Sequence, residues 1–140
     1  NTYDNILSTG YYSINHVHES FIKNAHYTSA KFDADVSEFE TCNLTEEYLH
    51  DFYAPYVGES KIKFGLKFVA EIDVKVNGTK MIIREIQEII LPENCMDDKG
   101  YIRLDSTSDV GIGGLNSYYS LRRITSFPCA RVADVPDFEG

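Results

Sequence analysis

The clearest pattern in this chain is an alternation of apolar and polar residues near its centre. From residue 61 to residue 68 every second side chain is large and apolar, which is typical of a strand with one buried and one wet face. The residues expected in the core are Ile62, Phe64, Leu66 and Phe68, and those expected in water are Lys61, Lys63 and Lys67. The alternation continues to residue 76, and Val69 interrupts its register as a β-bulge does.

This strand is predicted to be the first arm of a long central hairpin. Asn77 and Gly78 are a preferred pair for a two-residue turn, because both central positions of that turn need a positive φ. A returning strand is expected over residues 80–91. Further on, the sequence predicts a loop over 92–100, a short strand over 101–104, a glycine-rich segment over 110–119 and an extended acidic tail from 128.

Short helices are predicted around the hairpin. Thr2 is a good N-cap, and Gly10 is placed to end a first helix in a left-handed conformation before a strand over 11–15. Apolar residues at helical spacing predict a second helix within 18–29, and Thr45 followed by two glutamates predicts a third over 45–52. The stretch between these two helices is expected to be irregular. The pattern therefore indicates a β-rich α+β fold with peripheral short helices, in a single domain over residues 1–140.

The composition limits the possible partners of the chain more than it limits its possible folds. With 13 basic and 22 acidic residues, the chain has a net charge of −9, which argues against nucleic acid or an anionic membrane surface as a partner. No apolar run approaches the roughly 20 residues that a membrane-spanning helix needs. Three widely spaced cysteines predict neither a disulfide framework nor a zinc site, and they favour a reduced, cytoplasmic setting.

Few residues point to chemistry on their own. Thr2 and Asn5 lie on the first turn of the predicted N-terminal helix, where free N–H groups and the helix dipole favour an anion such as phosphate. Thr2 could also be an ordinary N-cap, and on the residue alone this is the favoured interpretation. His16, His18 and His26 suggest a metal, but no cysteine or glutamate stands at ligand spacing, so no metal site is expected.

An ordered set of segments resembles the flavin reductase-like family, whose members are FMN-binding split barrels. NTYDNILSTGYYSIN resembles a helix–strand segment of the family, and HYTSAKF followed by SEFE resembles the next conserved stretch. LTEEYL and APYVGES match the loop that leads into a long strand. NGTKMIIREIQEI resembles the family hairpin, and GLNSYY resembles the closing segment. Together these segments cover nearly the whole chain, so the resemblance implies a split β-barrel with a long central hairpin.

The resemblance also implies a cofactor, a reaction and a set of site residues. Members of the family hold FMN without a covalent bond, usually as homodimers, and pass a hydride from NAD(P)H to flavin. By position, Thr2 and Asn5 would meet the FMN phosphate. Thr28 and Ser29 would hydrogen-bond the flavin ring or ribityl chain, and Tyr118 would stack near the ring. No side chain is implied as acid, base or nucleophile, because the flavin carries the redox chemistry.

Several alternatives stay open. The protein is either a reductase, a non-enzymatic FMN-binding electron-transfer module, or a fragment without activity. Because the family has earlier barrel strands, we expect these residues to be the later part of a longer domain. Thr28 could instead bond backbone carbonyls at the end of a helix, and Tyr118 could be a core residue. Arg84 stands where the family usually has glycine, and it must face solvent, an interface or an anion.

Overall fold

The computed structural model describes residues 2–138, and it is rich in sheet with short helices at the periphery. The helices are α1 (Thr2–Thr9), α2 (Ile22–Tyr27) and α3 (Glu38–Thr41), and single 3-10 turns span Glu19–Phe21, Leu104–Ser106 and Val132–Asp134. The strands are β1 (Tyr11–Asn15), β2 (Glu46–Glu47), β3 (Tyr56–Val57), β4 (Lys63–Val74), β5 (Thr79–Ile90), β6 (Val110–Gly113) and β7 (Ser117–Ser120). They form three antiparallel sheets, in the orders β1-β4-β5, β2-β3 and β6-β7. None of the helices in this part of the chain is long and apolar enough to cross a membrane.

The long central hairpin is confirmed, with one difference at its tip. Val69 is the extra residue at a register shift between Phe68 and Ala70, as the broken alternation predicted. The predicted two-residue turn does not form, because a four-residue loop connects the strands. Of the residues in this loop, only Gly78 has a positive φ, +69°. The Asn77 side-chain oxygen instead accepts hydrogen bonds from the Thr79 backbone N–H at 3.1 Å and from its hydroxyl at 2.7 Å. These bonds stabilise the longer loop.

The core lies against the first half of β4, on both faces of the sheet. Ile62 and Leu66 are buried as predicted, while Phe64 and Phe68 are half-buried. Lys61 and Lys67 are exposed, but Lys63 is buried, which contradicts the expectation that its face is wet. The β2-β3 pair covers that face, and the Lys63 ammonium forms an ion pair there with Glu47. Alternation predicted the strand correctly, but it could not reveal a second sheet packed over the polar side.

The third predicted helix, over residues 45–52, does not form. Instead of capping a helix over 45–52, the Thr45 hydroxyl donates to a carboxylate oxygen of Glu59 at 2.8 Å, and the Thr45 N–H donates to the same carboxylate at 3.0 Å. Although burial of the Glu59 carboxyl acts to raise its pKa, these hydrogen bonds prevail and hold that pKa below its usual value. The chain then turns through His50 and Asp51, both with positive φ. A long-range hydrogen bond has replaced the local one that the capping pattern predicted.

The structure also differs from the sequence predictions at the ends of several shorter elements. Thr2 is the first helical residue of α1 and not its N-cap, and position 1 lies outside the described residues. Gly10 ends α1 as predicted, with φ +74° and its N–H donating to the Ile6 carbonyl at 2.9 Å. α2 is shorter than predicted, and α3 forms in the stretch expected to be irregular. The predicted strand over 101–104 is reduced to one bridge between Met96 and Ile102, whereas the glycine-rich segment forms the β6-β7 hairpin.

The buried ion pair gives a first prediction. Lys63→Ala should lower the free energy of unfolding by about 1.5–3 kcal/mol, because it removes a charge-assisted hydrogen bond and buried side-chain packing. The matched control is Lys67→Ala on the same strand, which is exposed and should stay within about 0.5 kcal/mol of the parent. Urea unfolding followed by circular dichroism measures both. Equal values for the two variants would contradict the burial of Lys63.

Candidate functional site

The first group of predicted site residues lies on α1. Thr2 and Asn5 are exposed on this helix, while Ile6 is buried beneath it. The Tyr3 hydroxyl donates to Glu71 of β4 at 2.5 Å, which ties the first turn of the helix to the central hairpin. α1 is therefore held on its inner side, and the exposed side chains of its first turn are the Thr2 hydroxyl, the Asp4 carboxylate and the Asn5 carboxamide. The hydroxyl, the carboxamide and the helix dipole favour a phosphate, whereas the carboxylate disfavours it.

The charges below α1 are already paired. The Lys80 ammonium contacts Glu71 at 2.6 Å and Asp73 at 2.8 Å, and it lies 5.8 Å from the centre of the Tyr3 ring. Hydrogen bonds from Lys80 and then from Tyr3 lower the pKa of Glu71, and the hydrogen bond to Glu71 raises the pKa of Tyr3. The hydrogen bonds to Asp73 and Glu71 raise the pKa of Lys80. This cluster anchors the helix, and its cation is not available to an anionic ligand.

The second group lies at a groove between α2 and β7. The Tyr118 hydroxyl is 3.0 Å from Nδ1 of His26, and the two rings meet edge to face with centroids 5.9 Å apart. The groove has a volume of about 590 Å³. Its lining residues are Glu19, Ser20, Ile22, Lys23, His26, Tyr27, Asn116 and Tyr118. Tyr118 is thus part of a concave surface with both aromatic and cationic groups, and its contact with a ligand stays a prediction.

Thr28 and Ser29 are placed differently from Tyr118. The Thr28 hydroxyl donates to the Ala25 carbonyl at 2.8 Å, and the Ser29 hydroxyl donates to the His26 carbonyl at 2.7 Å. These are the bonds expected under the competing interpretation of Thr28 as a helix-end residue. Neither residue lines the groove. Because each hydroxyl hydrogen is already used, either side chain can meet a ligand only as a hydrogen-bond acceptor.

Only one of the two groups of predicted site residues contributes to the groove. Tyr118 lines it and contacts His26 of α2, whereas Thr2 and Asn5 are not among its lining residues. The sequence prediction missed Lys23 and Asn116, which line the groove beside His26. Lys23 and His26 are three residues apart on one helix, so they lie on the same face. This spacing could have indicated Lys23 as a groove residue. Asn116 stands in the β6-β7 turn, and its sequence context carries no such signal.

The histidines have partners other than a metal. Nδ1 of His16 lies 3.4 Å from the buried carboxylate of Asp109, and Nδ1 of His18 accepts the backbone N–H of Ser20 at 3.1 Å. Within residues 2–138, no three histidine, cysteine, aspartate or glutamate side chains lie close enough together to hold a metal ion. In the same residues, two buried polar atoms lack a protein partner: the Tyr12 hydroxyl and Oδ1 of Asp109. Buried polar atoms normally have a partner, so Tyr12 on β1 is a further group that a ligand could satisfy.

Comparison with known proteins decides the family. The flavin reductase like domain matches residues 1–106, which is most of the chain. The chain belongs to the flavin reductase-like family. The resemblance found in the ordered sequence segments is thereby confirmed, and a flavin is the class of cofactor that the family supports. The exposed hydroxyl and carboxamide on α1, and the tyrosine and lysine side chains of the groove, are hydrogen-bonding groups of the kind that a flavin nucleotide binds.

Solved structures agree with the split-barrel fold. A candidate flavin reductase with a split barrel domain from Shewanella frigidimarina NCIMB 400 superposes with a TM-score of 0.89 at 43% identity, over 92% of this chain and 65% of that chain. Flavoredoxin of Desulfovibrio vulgaris (Miyazaki F) superposes with a TM-score of 0.75 at 23% identity, over 92% of this chain and 68% of that chain, and shows the fold alone. The predicted split-barrel class is confirmed by these two likenesses.

One relative in sequence is an uncharacterized protein of Aquifex aeolicus (strain VF5). It is 30% identical over 96 residues, which are 66% of this chain and 49% of that protein. This flavin reductase-like chain therefore spans about half the length of the Aquifex protein, and 65% of the Shewanella frigidimarina protein.

The contact between the two walls of the groove gives a second prediction. Tyr118→Phe should lower the free energy of unfolding by about 0.5–1.5 kcal/mol, because it removes the hydrogen bond to His26 and keeps the ring. Tyr119→Phe is the matched control, since the neighbouring tyrosine is mostly exposed, and it should change stability by less than about 0.5 kcal/mol. Urea unfolding measures stability, and the NMR shift of the His26 ring should move only in Tyr118→Phe. An unchanged His26 signal would mean that the groove is not closed by this contact.

Proposed function

We propose that the protein binds FMN and acts as a flavin reductase, moving a hydride from NAD(P)H to flavin. The observation that carries the proposal is the family match over residues 1–106, together with the 0.89 TM-score to the Shewanella frigidimarina protein. A further structural neighbour, from Shewanella baltica OS155, is described as an FMN-binding domain of a flavin reductase-like enzyme. It has a TM-score of 0.72 at 14% identity and covers 91% of this chain and 68% of its own. That description makes FMN the flavin to test first.

Different residues of this chain would contact different parts of FMN. Thr2 and Asn5 would donate hydrogen bonds to the phosphate at the N-terminal end of α1. Thr28 and Ser29 would accept hydrogen bonds from the flavin, and Tyr118 would contact its ring from β7. When bound, FMN supplies the redox chemistry. The protein would hold and orient it and exclude water, so no side chain of the chain needs to act as acid or base.

The proposal also covers the oligomeric state, the location and the partners of the protein. We propose a homodimer in the cytoplasm, without nucleic acid or membrane as partner. The exposed apolar side chains of β5 support a protein partner, and the net charge of −9 disfavours polyanions. Arg84 is exposed on β5, opposite Phe68, in agreement with a place in solvent or at an interface.

The phosphate contacts give a third prediction, tested on the purified protein. Thr2→Val combined with Asn5→Leu should weaken FMN binding by about two to four orders of magnitude, because two hydrogen bonds to a charged group are lost. Riboflavin lacks the phosphate, so its affinity should barely change. Fluorescence titration measures both ligands.

Thr9→Val, at the other end of α1, is the matched control and should leave the affinity for FMN unchanged. An equal loss for FMN and riboflavin would mean that the double substitution disturbed the fold. Unchanged FMN affinity would remove the phosphate from α1 and leave the family assignment intact.

Turnover distinguishes the enzyme from a passive carrier and gives a fourth prediction. The purified protein should show a visible flavin absorption band, and it should oxidise NADH or NADPH continuously when free FMN is supplied. Loss of absorbance at the nicotinamide band measures the rate. A flavin band without turnover would favour the non-enzymatic electron-transfer module. If neither is seen, the isolated chain does not carry the activity.

A further inference from the structure

Asp109 places a carboxylate in the interior of the protein. The residue is 3% exposed. One of its carboxylate oxygens accepts the Thr107 hydroxyl at 3.0 Å and lies 3.4 Å from Nδ1 of His16, while the other has no hydrogen-bond partner among the described residues. The Lys61 ammonium, in the same region, donates to the Thr107 carbonyl at 3.4 Å. A buried carboxylate is costly unless a cation compensates it, and His16 is placed to supply that cation.

Asp109 also marks the point from which both walls of the groove extend. It forms an antiparallel bridge with His18, and backbone hydrogen bonds of 2.9 and 3.0 Å lie on either side of this bridge. From Asp109 the chain continues into the β6-β7 hairpin, which carries Tyr118. From His18 it continues through a 3-10 turn into α2, which carries His26. A displacement at the bridge would therefore move one wall of the groove relative to the other.

His16 connects this bridge to the central sheet. Its backbone N–H donates to the Ile62 carbonyl at 2.9 Å, and the centre of its ring lies 5.6 Å from that of Phe64. The 3.4 Å between His16 and Asp109 is longer than the roughly 2.7–3.2 Å of an ordinary N–H···O hydrogen bond. Their attraction therefore depends mainly on charge, and histidine is the residue type that ordinarily changes its charge between about pH 5 and 8.

We propose that the His16–Asp109 pair positions the two walls of the groove and holds them most firmly while His16 is protonated. A protonated ring compensates the buried carboxylate and keeps the bridge against the central sheet. When the ring is neutral, the carboxylate has no cation beside it, and the bridge opens more readily because water becomes the better partner. Neither residue lines the groove, so both are positioning residues and not ligand contacts.

Other titratable groups surround the bridge and the groove, and the test has to separate them from the pair. They are His18 and Glu19 before α2, Lys61 before β4, and Lys23, His26 and Tyr118 at the groove. All of them remain in a variant of Asp109. A difference in pH dependence between that variant and the parent therefore reports on the pair itself.

Native-state hydrogen exchange followed by NMR tests the pair without any flavin. The probes are the N–H groups of Glu19 and Val110, which form the two backbone hydrogen bonds beside the bridge. In the parent, their protection should fall about tenfold between about pH 5 and 8, which is the loss expected for a contact with a charged group. In Asp109→Asn it should not change with pH, because no carboxylate is left to respond to the ring. Protection of the β4-β5 amides should be independent of pH in both proteins.

Asp105→Asn is the matched control. It removes a carboxylate from the same segment, 3.6 Å from Arg123, and should respond to pH as the parent does. An equal fall in Asp109→Asn, no fall in the parent, or an equal fall in the β4-β5 amides would each overturn the proposal. If Asp109→Asn does not fold, His16→Gln replaces it, because a side chain that cannot titrate should also abolish the pH dependence.

The effect on ligand binding rests on the proposed function, in which Tyr118 contacts the flavin ring. Riboflavin is the probe, because the FMN phosphate itself titrates in this pH range. Between about pH 5 and 8, the affinity of the parent for riboflavin should fall several-fold more than that of Asp109→Asn. Equal falls in the two proteins would overturn the role of the pair in binding. If amide exchange responds as expected but riboflavin does not bind, the proposed flavin contact fails and the positioning of the groove walls stands.

Discussion

The close packing of Tyr56 against Gly65 is the contact on which the central part of the structure depends. A Cβ at Gly65 would lie 2.4 Å from the Tyr56 hydroxyl, so only glycine allows β3 to approach β4 this closely. Tyr56 is fully buried, and its hydroxyl donates to Glu88 of β5 at 2.5 Å. Burial and then this carboxylate raise the pKa of Tyr56, so the hydroxyl stays a donor at physiological pH. One aromatic side chain thereby joins the small β2-β3 sheet to the central hairpin.

That attachment explains the unusual chemistry of the covered face. Because β2-β3 lies over β4, Lys63 is removed from water and needs Glu47 as its counter-ion. Two side chains of β1 close the same layer: the Ser13 hydroxyl donates to the Pro55 carbonyl at 2.6 Å, and the Asn15 side-chain oxygen accepts the Val57 N–H at 3.0 Å. Two layers meet at the proximal half of the sheet, whereas its distal half, beyond the bulge at Val69, keeps apolar side chains in solvent. The same hairpin therefore packs into the core at one end and exposes apolar side chains at the other.

The candidate site is organised from the two ends of β1. At its start, α1 presents Thr2 and Asn5. At its end, the N–H of Val110 donates to the Val17 carbonyl and the N–H of Glu19 donates to the Ser108 carbonyl, which brings the β6-β7 hairpin beside α2. Tyr118 and His26 complete that wall. The arrangement offers polar contacts and an aromatic surface, which are the kinds of contact that the proposed binding of FMN would use.

The sequence by itself determined most of what depends on neighbours along the chain. The alternation around Leu66, the bulge at Val69 and the helix end at Gly10 express local geometry, and each was predicted correctly. The two-residue turn is the exception, because the Asn77 side chain bonds to Thr79 and a four-residue loop forms. Only the tertiary structure decided what depends on distant partners. Thr45 bonds to Glu59 instead of capping a helix, and Lys63 is buried because another sheet covers it. Tyr118 meets His26 across 92 positions of sequence. No periodicity encodes such contacts, because they arise from how the layers pack and not from the spacing of residues.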